Sequence, residues 1–148
     1  MFKHLLIPTD CSELSKKAVN AAIDFARETG AKVTAYYAAG RPIARVYGEG
    51  YRIPDAGLPG DYEKSMREAA DFYLQEIRKN AAAVGVDFNA VITEADSPED
   101  GIVDAARDKG CDAIFMASHG RKGLARLALG SVTNEVLARA TVPVLVYR

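Results

Sequence analysis

Cysteine is scarce in this chain. Cys11 and Cys111 are the two in 148 residues, and they form no Cys-x-x-Cys pair. That spacing excludes a disulfide framework and fits a reducing compartment. Long apolar runs are missing too, so no segment reaches the length that spans a bilayer. The opening "MFKHLLIPTD" holds one lysine and an apolar stretch cut short by Pro8, too little for a secretory leader, so a soluble, cytoplasmic protein is expected. Nor does charge of one sign accumulate. The net charge is −1, which excludes a general pull toward nucleic acid or an anionic membrane, so any anion site must be local. No GxxxxGK[ST] occurs and no GxGxxG follows the first apolar run, which weighs against those two phosphate loops. No Ser–His–Asp arrangement or metal-ligand cluster has convincing spacing. With no internal repeat and no low-complexity tract, a single domain over 1–148 is expected. That length buries about two-thirds of the surface of the unfolded chain.

What is present alternates between strand and helix patterns. "HLLI" (4–7) is a short apolar run bounded by Pro8, as a buried strand would be. Leu14, Ala18, Ala21, Ala22, Phe25 and Ala26 recur at helical spacing, and Gly30 stands where a capping glycine belongs. "KVTAYYA" (32–38) has strand composition. The stretch 39–60 is broken by five glycines and three prolines and cannot be one regular element. A second helix is expected over 61–84 with Met66, Ala69, Ala70, Tyr73, Ile77, Ala81 and Val84 on one face. "VDFNAVI" (86–92) reads as a half-exposed edge strand. Ser97 and Pro98 open a third helix. "AIFMA" (113–117) reads as a strand covered on both faces, a fourth helix follows Gly130, and "VPVLVY" (142–147) closes the chain.

Repeated β-then-α units imply a parallel sheet with helices on both faces. The most uniformly apolar strands, the first and fourth, are expected side by side at the centre. Ligands of such sheets sit beyond the carboxyl ends of the strands where the winding reverses. The rim there would hold Pro8, Thr9, Asp10, Met116, Ala117 and Ser118.

"ASHGRKGLARLALGS" (117–131) starts at this rim. Gly120 and Gly130 lack Cβ, so backbone N–H groups there can approach an anion closely. Gly130, Ser131, Val132 and Thr133 lead into a helix whose first N–H groups have no internal partner. His119, Arg121 and Lys122 can add charge. The plain alternative is that the glycines serve turns, Ser131 caps a helix and the cations are solvated. Asp10, across the crevice, can accept hydrogen bonds from ribose hydroxyls, or it can cap the first helix in competition with Ser12. Elsewhere, His4, Cys11 and the tyrosines 36, 37, 47 and 51 read more simply as packing residues.

These residues carry a resemblance that covers nearly the whole chain. "LLIPTDCSELSKKA" resembles the first strand and turn of universal stress proteins, and "GSVTNEVLARATVPVLVYR" resembles their ending. ATP-binding members of that family carry Gly, two residues, Gly, nine residues, then Gly followed by Ser or Thr. Gly120, the nine residues 121–129, Gly130 and Ser131 match that spacing, while Ala117 stands where the first glycine is expected. Ala95 is a second departure.

The resemblance implies an α/β, Rossmann-like fold with an open five-stranded parallel sheet of order 3-2-1-4-5. It implies ATP, with or without Mg²⁺, in the crevice between strands one and four, and slow hydrolysis at most. It also implies a homodimer through the C-terminal strand, Val142 to Tyr147. Carried over by position, Asp10 would hold the ribose, and Pro8, Thr9, Ala38 and Met116 would line the adenine pocket. Ala117, Gly120, Gly130, Ser131, Val132 and Thr133 would wrap the phosphates, with His119 beside them. Two other readings stay open: an interaction dimer with a vestigial site, and an enzyme of the related hydrolase or ligase group. The latter's Ser-Gly-Gly-type loop after the first strand is missing. At Ala117 a methyl group has a cost if the family's glycine needs a left-handed backbone, about 1–2 kcal/mol, or has phosphate packed against its Cα, whereas an ordinary β conformation would be harmless.

Overall fold

The computed structural model describes residues 1–40, 59–95, 97–120 and 129–148. Nearly all of the expected loop 39–60, with Tyr47 and Tyr51, lies outside these residues, as do Arg121 and Lys122.

The elements alternate in chain order: β1 (His4–Pro8), α1 (Glu13–Thr29), β2 (Lys32–Gly40), α2 (Pro59–Ala83), β3 (Phe88–Ala95), α3 (Pro98–Asp108), β4 (Ala113–Ala117), α4 (Ser131–Arg139) and β5 (Val144–Tyr147). All strand pairs are parallel, and the sheet order is β3-β2-β1-β4-β5. The first and fourth strands are neighbours inside the sheet, as their unbroken apolar character requires. Leu5, Leu6, Ile7 and Ile114 have no accessible surface.

Side chains alternate across each strand and sort into two layers. Leu5, Ile7, Val33, Ala35, Phe115 and Ala117 pack with α1 and α2 through Ala18, Val19, Ala22, Leu74 and Ile77. Leu6, Tyr36, Ile114 and Met116 pack with α3 and α4 through Ile102, Ala105, Ala106 and Val136. Each fully buried Val, Leu or Ile contributes about 1.5–3 kcal/mol of transfer free energy to the fold.

Local signals set the helix ends. Ser12 caps α1 by accepting the Ser15 N–H, and Gly30 closes it at φ 69°. Ser97 and Pro98 open α3. In α2 the buried stripe is Ala70, Leu74, Ile77 and Ala81, while Ala69 and Val84 are exposed, so the expected face was rotated slightly. β3 runs three residues further than its alternation suggests because Thr93, Glu94 and Ala95 still pair with Ala38, Ala39 and Gly40. β5 starts at Val144. Pro143 gives its carbonyl to the Ile114 N–H (2.9 Å) and has no N–H to return.

Candidate functional site

The two central strands part where the crevice was expected. β1 pairs with β4 at Leu5–Ala113 and Leu6–Ile114, whereas it stays paired with β2 through Pro8–Tyr36, and β4 stays paired with β5 through Ala117–Tyr147. Beyond Ile114 the sheet is therefore split. The groups that face the split follow from register. In β1 the odd residues bond to β2, as the Thr9 N–H to Tyr36 carbonyl bond (2.9 Å) shows, so Pro8 turns toward β4. A proline sits in this central strand without breaking a ladder because its missing N–H would face the gap.

In β2 the even residues face β1. The ladder ends with Tyr36, so the N–H and C=O of Ala38 face the space that β1 has left. In β4 the Ile114 and Ser118 N–H groups bond to β5, which turns Ala117 toward the gap. Met116 and Ala38 point their side chains to the α3–α4 layer, and Ala117 packs in the α1–α2 layer.

Ala117 has ordinary β backbone. Among the described residues Cys11, at φ 62°, is the one non-glycine with positive φ. The strain considered for an alanine at the motif's first position is therefore absent.

On one side of the gap, β1 enters α1 through a tight turn. Thr9 is buried, and its Oγ1 lies 2.6 Å from Ser15 Oγ and accepts the Cys11 N–H (3.2 Å). Asp10 does not cap α1, since Ser12 does. Instead Asp10 Oδ1 accepts the Ser12 N–H at 3.0 Å, an Asx turn. The other carboxylate oxygen reaches across the gap. A Cβ built on Gly120 would overlap Asp10 Oδ2 and lie 3.4 Å from Asp10 Cγ. The structure thus brings Asp10 and Gly120 into direct contact, and the absence of a side chain on Gly120 permits it.

On the other side, the Gly130 N–H donates to the Ser118 carbonyl (2.8 Å), and a Cβ on Gly130 would lie 3.1 Å from His119 Cα. Gly130, at φ −62° and ψ 156°, is the N-cap of α4. The alternative in which Ser131 caps the helix is therefore corrected: the bond to Ser118 holds Gly130 just outside the helix, and Ser131 becomes its exposed first residue. The first-turn N–H groups of Ser131, Val132 and Thr133 have no intrahelical acceptor and carry the positive end of the helix dipole. Thr133 is buried, and its hydroxyl donates to the Ala117 carbonyl (3.1 Å), docking the start of α4 on the end of β4. The His119 ring is half-buried, with Nδ1 3.1 Å from Ser118 Oγ.

Two residues at this rim escaped the sequence reading. Ser15 is 3% exposed and stands in the apolar stripe of α1, where a hydroxyl among Ala18, Val19 and Ala22 was the available signal. Tyr73 comes from α2, and its phenol lies near the Thr9 side chain. No local pattern announces that contact.

Two clefts lie away from the rim. One of about 330 Å³ sits at the amino ends of the strands, between the carboxyl ends of α1 and α2, and is lined by Lys3, Arg27, Lys32 and Asp87. The other, about 410 Å³, lies between β3 and α3 and is lined by Glu94, Asp100, Asp104 and Asp108. Carboxylates in the second disfavour a phosphate. Among the described residues no cluster of His, Cys, Asp or Glu could hold a metal ion, and no helix is long and apolar enough to cross a membrane.

Known proteins share this architecture. The universal stress protein MJ0531 of Methanocaldococcus jannaschii is 34% identical over 153 residues, which cover all of this chain and 83% of that protein. The solved structure of the hypothetical protein MJ0577 is 29% identical with a TM-score of 0.82, over 99% of this chain and 95% of that one. A universal stress protein from Archaeoglobus fulgidus, solved in complex with dAMP, shares the fold at 20% identity and a TM-score of 0.65, over all of this chain and 98% of that one. The model of the universal stress protein family matches residues 1–148. This chain belongs to the universal stress protein family.

Proposed function

We propose that this chain binds ATP, with or without Mg²⁺, in the crevice between β1 and β4, and works as a dimeric, nucleotide-dependent stress-response module of a single domain. The observation that carries the reading is the contact of Asp10 with Gly120 across the split between the central strands. It sets a carboxylate facing a glycine-lined helix N-terminus at the carboxyl end of a parallel sheet, where such folds bind ligands.

The roles follow from the groups that face the gap. The Ala38 N–H and C=O form an adjacent donor and acceptor suited to the edge of adenine, with Pro8, Thr9 and Met116 about the base. Asp10 accepts from the ribose hydroxyls. Backbone N–H groups of Ala117, Gly120, Ser131, Val132 and Thr133 cradle the phosphates, with His119 at their side, and Gly130, whose own N–H is held by the Ser118 carbonyl, lets them approach because it has no side chain. The dAMP complex of the Archaeoglobus protein supports an adenine nucleotide as the ligand class. Asp10 is committed to the turn and the ribose, which leaves no carboxylate assigned to activate water. The module therefore holds its nucleotide and hydrolyses it slowly at most. Two cysteines in 148 residues, with no Cys-x-x-Cys pair, accord with the reducing cytoplasm.

The motif's missing first glycine favours a second reading, an interaction dimer with a vestigial site. The regular backbone of Ala117 removes backbone strain from that objection. Calorimetric titration with ATP and Mg²⁺ tests the choice. Binding should be saturable and weakened by Asp10→Ala and by Gly130→Val. No heat of binding up to millimolar ATP would leave the vestigial reading in its place. Nucleotide released from the purified protein on denaturation would support the first.

A further inference from the structure

The turn that aims Asp10 is built from hydroxyls that have no other evident purpose. Ser15 is 3% exposed, in line with Ala18, Val19 and Ala22. An alanine would fill that place in the stripe equally well, and a buried hydroxyl costs free energy unless it is hydrogen-bonded. Ser15 Oγ is bonded twice: it lies 2.6 Å from Thr9 Oγ1 and accepts the Asp10 N–H at 3.3 Å. Thr9 Oγ1 in turn accepts the Cys11 N–H at 3.2 Å. The hydroxyl pair thus grips two successive backbone N–H groups, those of Asp10 and Cys11.

Cys11 is held at φ 62°. A side chain with Cβ reaches the left-handed region at a cost and stays there only where its surroundings over-determine it. The grip on the two N–H groups supplies that constraint. Its product is the direction of Asp10: one carboxylate oxygen accepts the Ser12 N–H and the other is turned onto Gly120.

Tyr73 brings a third hydroxyl from α2 near Thr9, with Lys16 Nζ 5.8 Å from its ring centre. Burial pushes the Tyr73 phenol up to about 12, so it remains an O–H donor near neutral pH. The strained turn is therefore tied to α1 by hydrogen bonds and backed by a phenol of α2.

We propose that Ser15, through its hydrogen bonds to Thr9 and Asp10 and with Tyr73 behind Thr9, is a positioning residue that aims the Asp10 carboxylate at the ribose hydroxyls of the bound nucleotide. This rests on the reading of Asp10 as the ribose ligand. Ser15 touches no nucleotide itself. Its removal should cost only the part of the affinity that depends on ribose hydroxyls.

The experiment compares calorimetric titrations of ATP and 2′,3′-dideoxyATP on the full chain. The wild type should prefer ATP by roughly tenfold or more, the worth of hydrogen bonds to an ionised group. Ser15→Ala should bring the two affinities together by weakening ATP about tenfold, while dideoxyATP stays within about twofold of its wild-type value. A preference for ATP that survives Ser15→Ala overturns the positioning role and leaves Asp10 as the ribose ligand. A wild type that binds both nucleotides equally, or neither, overturns the reading of Asp10 and the positioning role with it. If Ser15→Ala does not fold, Thr9→Val and Thr9→Ser give the same ratio. The preference should vanish in the first and return with the hydroxyl in the second. Equal preference in both overturns the proposal.

Discussion

Gly120→Ala should separate binding from stability. A methyl group on Gly120 overlaps Asp10 Oδ2 and stands 3.4 Å from Asp10 Cγ, so one of the two must move. Gly120 is exposed and its φ is not positive, so alanine strains no backbone there. What yields is the end of the Asp10 side chain. Turning it about 30° off its rotamer costs about 0.5–1.5 kcal/mol. Replacing a glycine by alanine where the backbone allows it returns about 0.4–1 kcal/mol through the unfolded state. The two terms nearly cancel, so the midpoint of thermal unfolding should stay within a few degrees of the wild type. The nucleotide, however, loses the aimed carboxylate. Hydrogen bonds to a charged group contribute about 1.5–3 kcal/mol, which corresponds to a roughly tenfold to hundredfold loss of ATP affinity.

Gly130→Ala is the contrast. Its Cβ would meet His119 Cα at 3.1 Å, and backbone cannot swing aside, so stability and affinity should fall together. Titration calorimetry and thermal unfolding on the same preparations read both quantities. The double variant with Asp10→Ala should bind no worse than Asp10→Ala alone, because the two changes remove one interaction. Wild-type affinity in Gly120→Ala would show that the contact takes no part in binding. Additive losses in the double variant would show that Gly120 acts by another route.

His4 is buried, with Nε2 2.8 Å from Thr34 Oγ1 and Nδ1 without a partner among the described residues. Burial, with Lys32 nearby, holds its pKa below 6.5 against the opposing pull of the Gly110 main chain, Asp112 and Asp87. The unfolded chain therefore takes up the proton first. The His4 contribution is whole above 6.5 and is lost as pH falls from there toward the lower folded value. Urea unfolding across this range should show the loss, and His4→Gln should flatten it; an unchanged slope in the variant would clear His4.

Ala117→Gly should lower stability by about 1–2 kcal/mol, from a freed strand residue and a lost buried methyl, and leave ATP affinity unchanged. Tighter binding by calorimetry would restore the glycine requirement. Gly101→Ala drives a methyl into the Tyr36 hydroxyl, which Thr93 Oγ1 holds at 2.7 Å in the core, and should cost about 1–3 kcal/mol. Adding Tyr36→Phe should recover part of that loss, and no recovery would place the clash elsewhere. In β5 the odd residues bond to β4, so the Val146 N–H faces outward along the edge. Val146→Pro should keep the fold but abolish a dimer that pairs this edge, which sedimentation reads directly; a persistent dimer would refer the interface to another surface.

Much of this architecture was legible because single residues carry it. Gly30 at φ 69° and Ser97 with Pro98 mark helix ends in the sequence as clearly as in the structure. The apolar runs of β1 and β4 fixed them as inner strands. The rim was legible for the same reason: Pro8, Asp10 and Gly130 lie at junctions between elements, and topology dictates where junctions fall. Distance hides the rest. Tyr73 reaches Thr9 from a different helix, and Ser15 hides its hydroxyl inside a stripe whose period is apolar. The face of α2 was rotated because it took in the exposed Ala69 and Val84 and left out the buried Leu74, which sits one position past Tyr73 on the true stripe.

Ala117 shows why a motif position must be translated into geometry before it is weighed. A glycine is required where φ is positive or where another group occupies the place of Cβ. At Ala117 φ is not positive: it closes a regular strand, and its side chain belongs to the buried α1–α2 layer of the core. Gly120 meets the second condition through Asp10, and Gly130 through the main chain of His119. The constraint on the cradle lies on these two glycines, which this chain retains, while β4 gains a strand residue in place of a flexible one. The alanine is a substitution the fold can accept without altering the groups that face the gap.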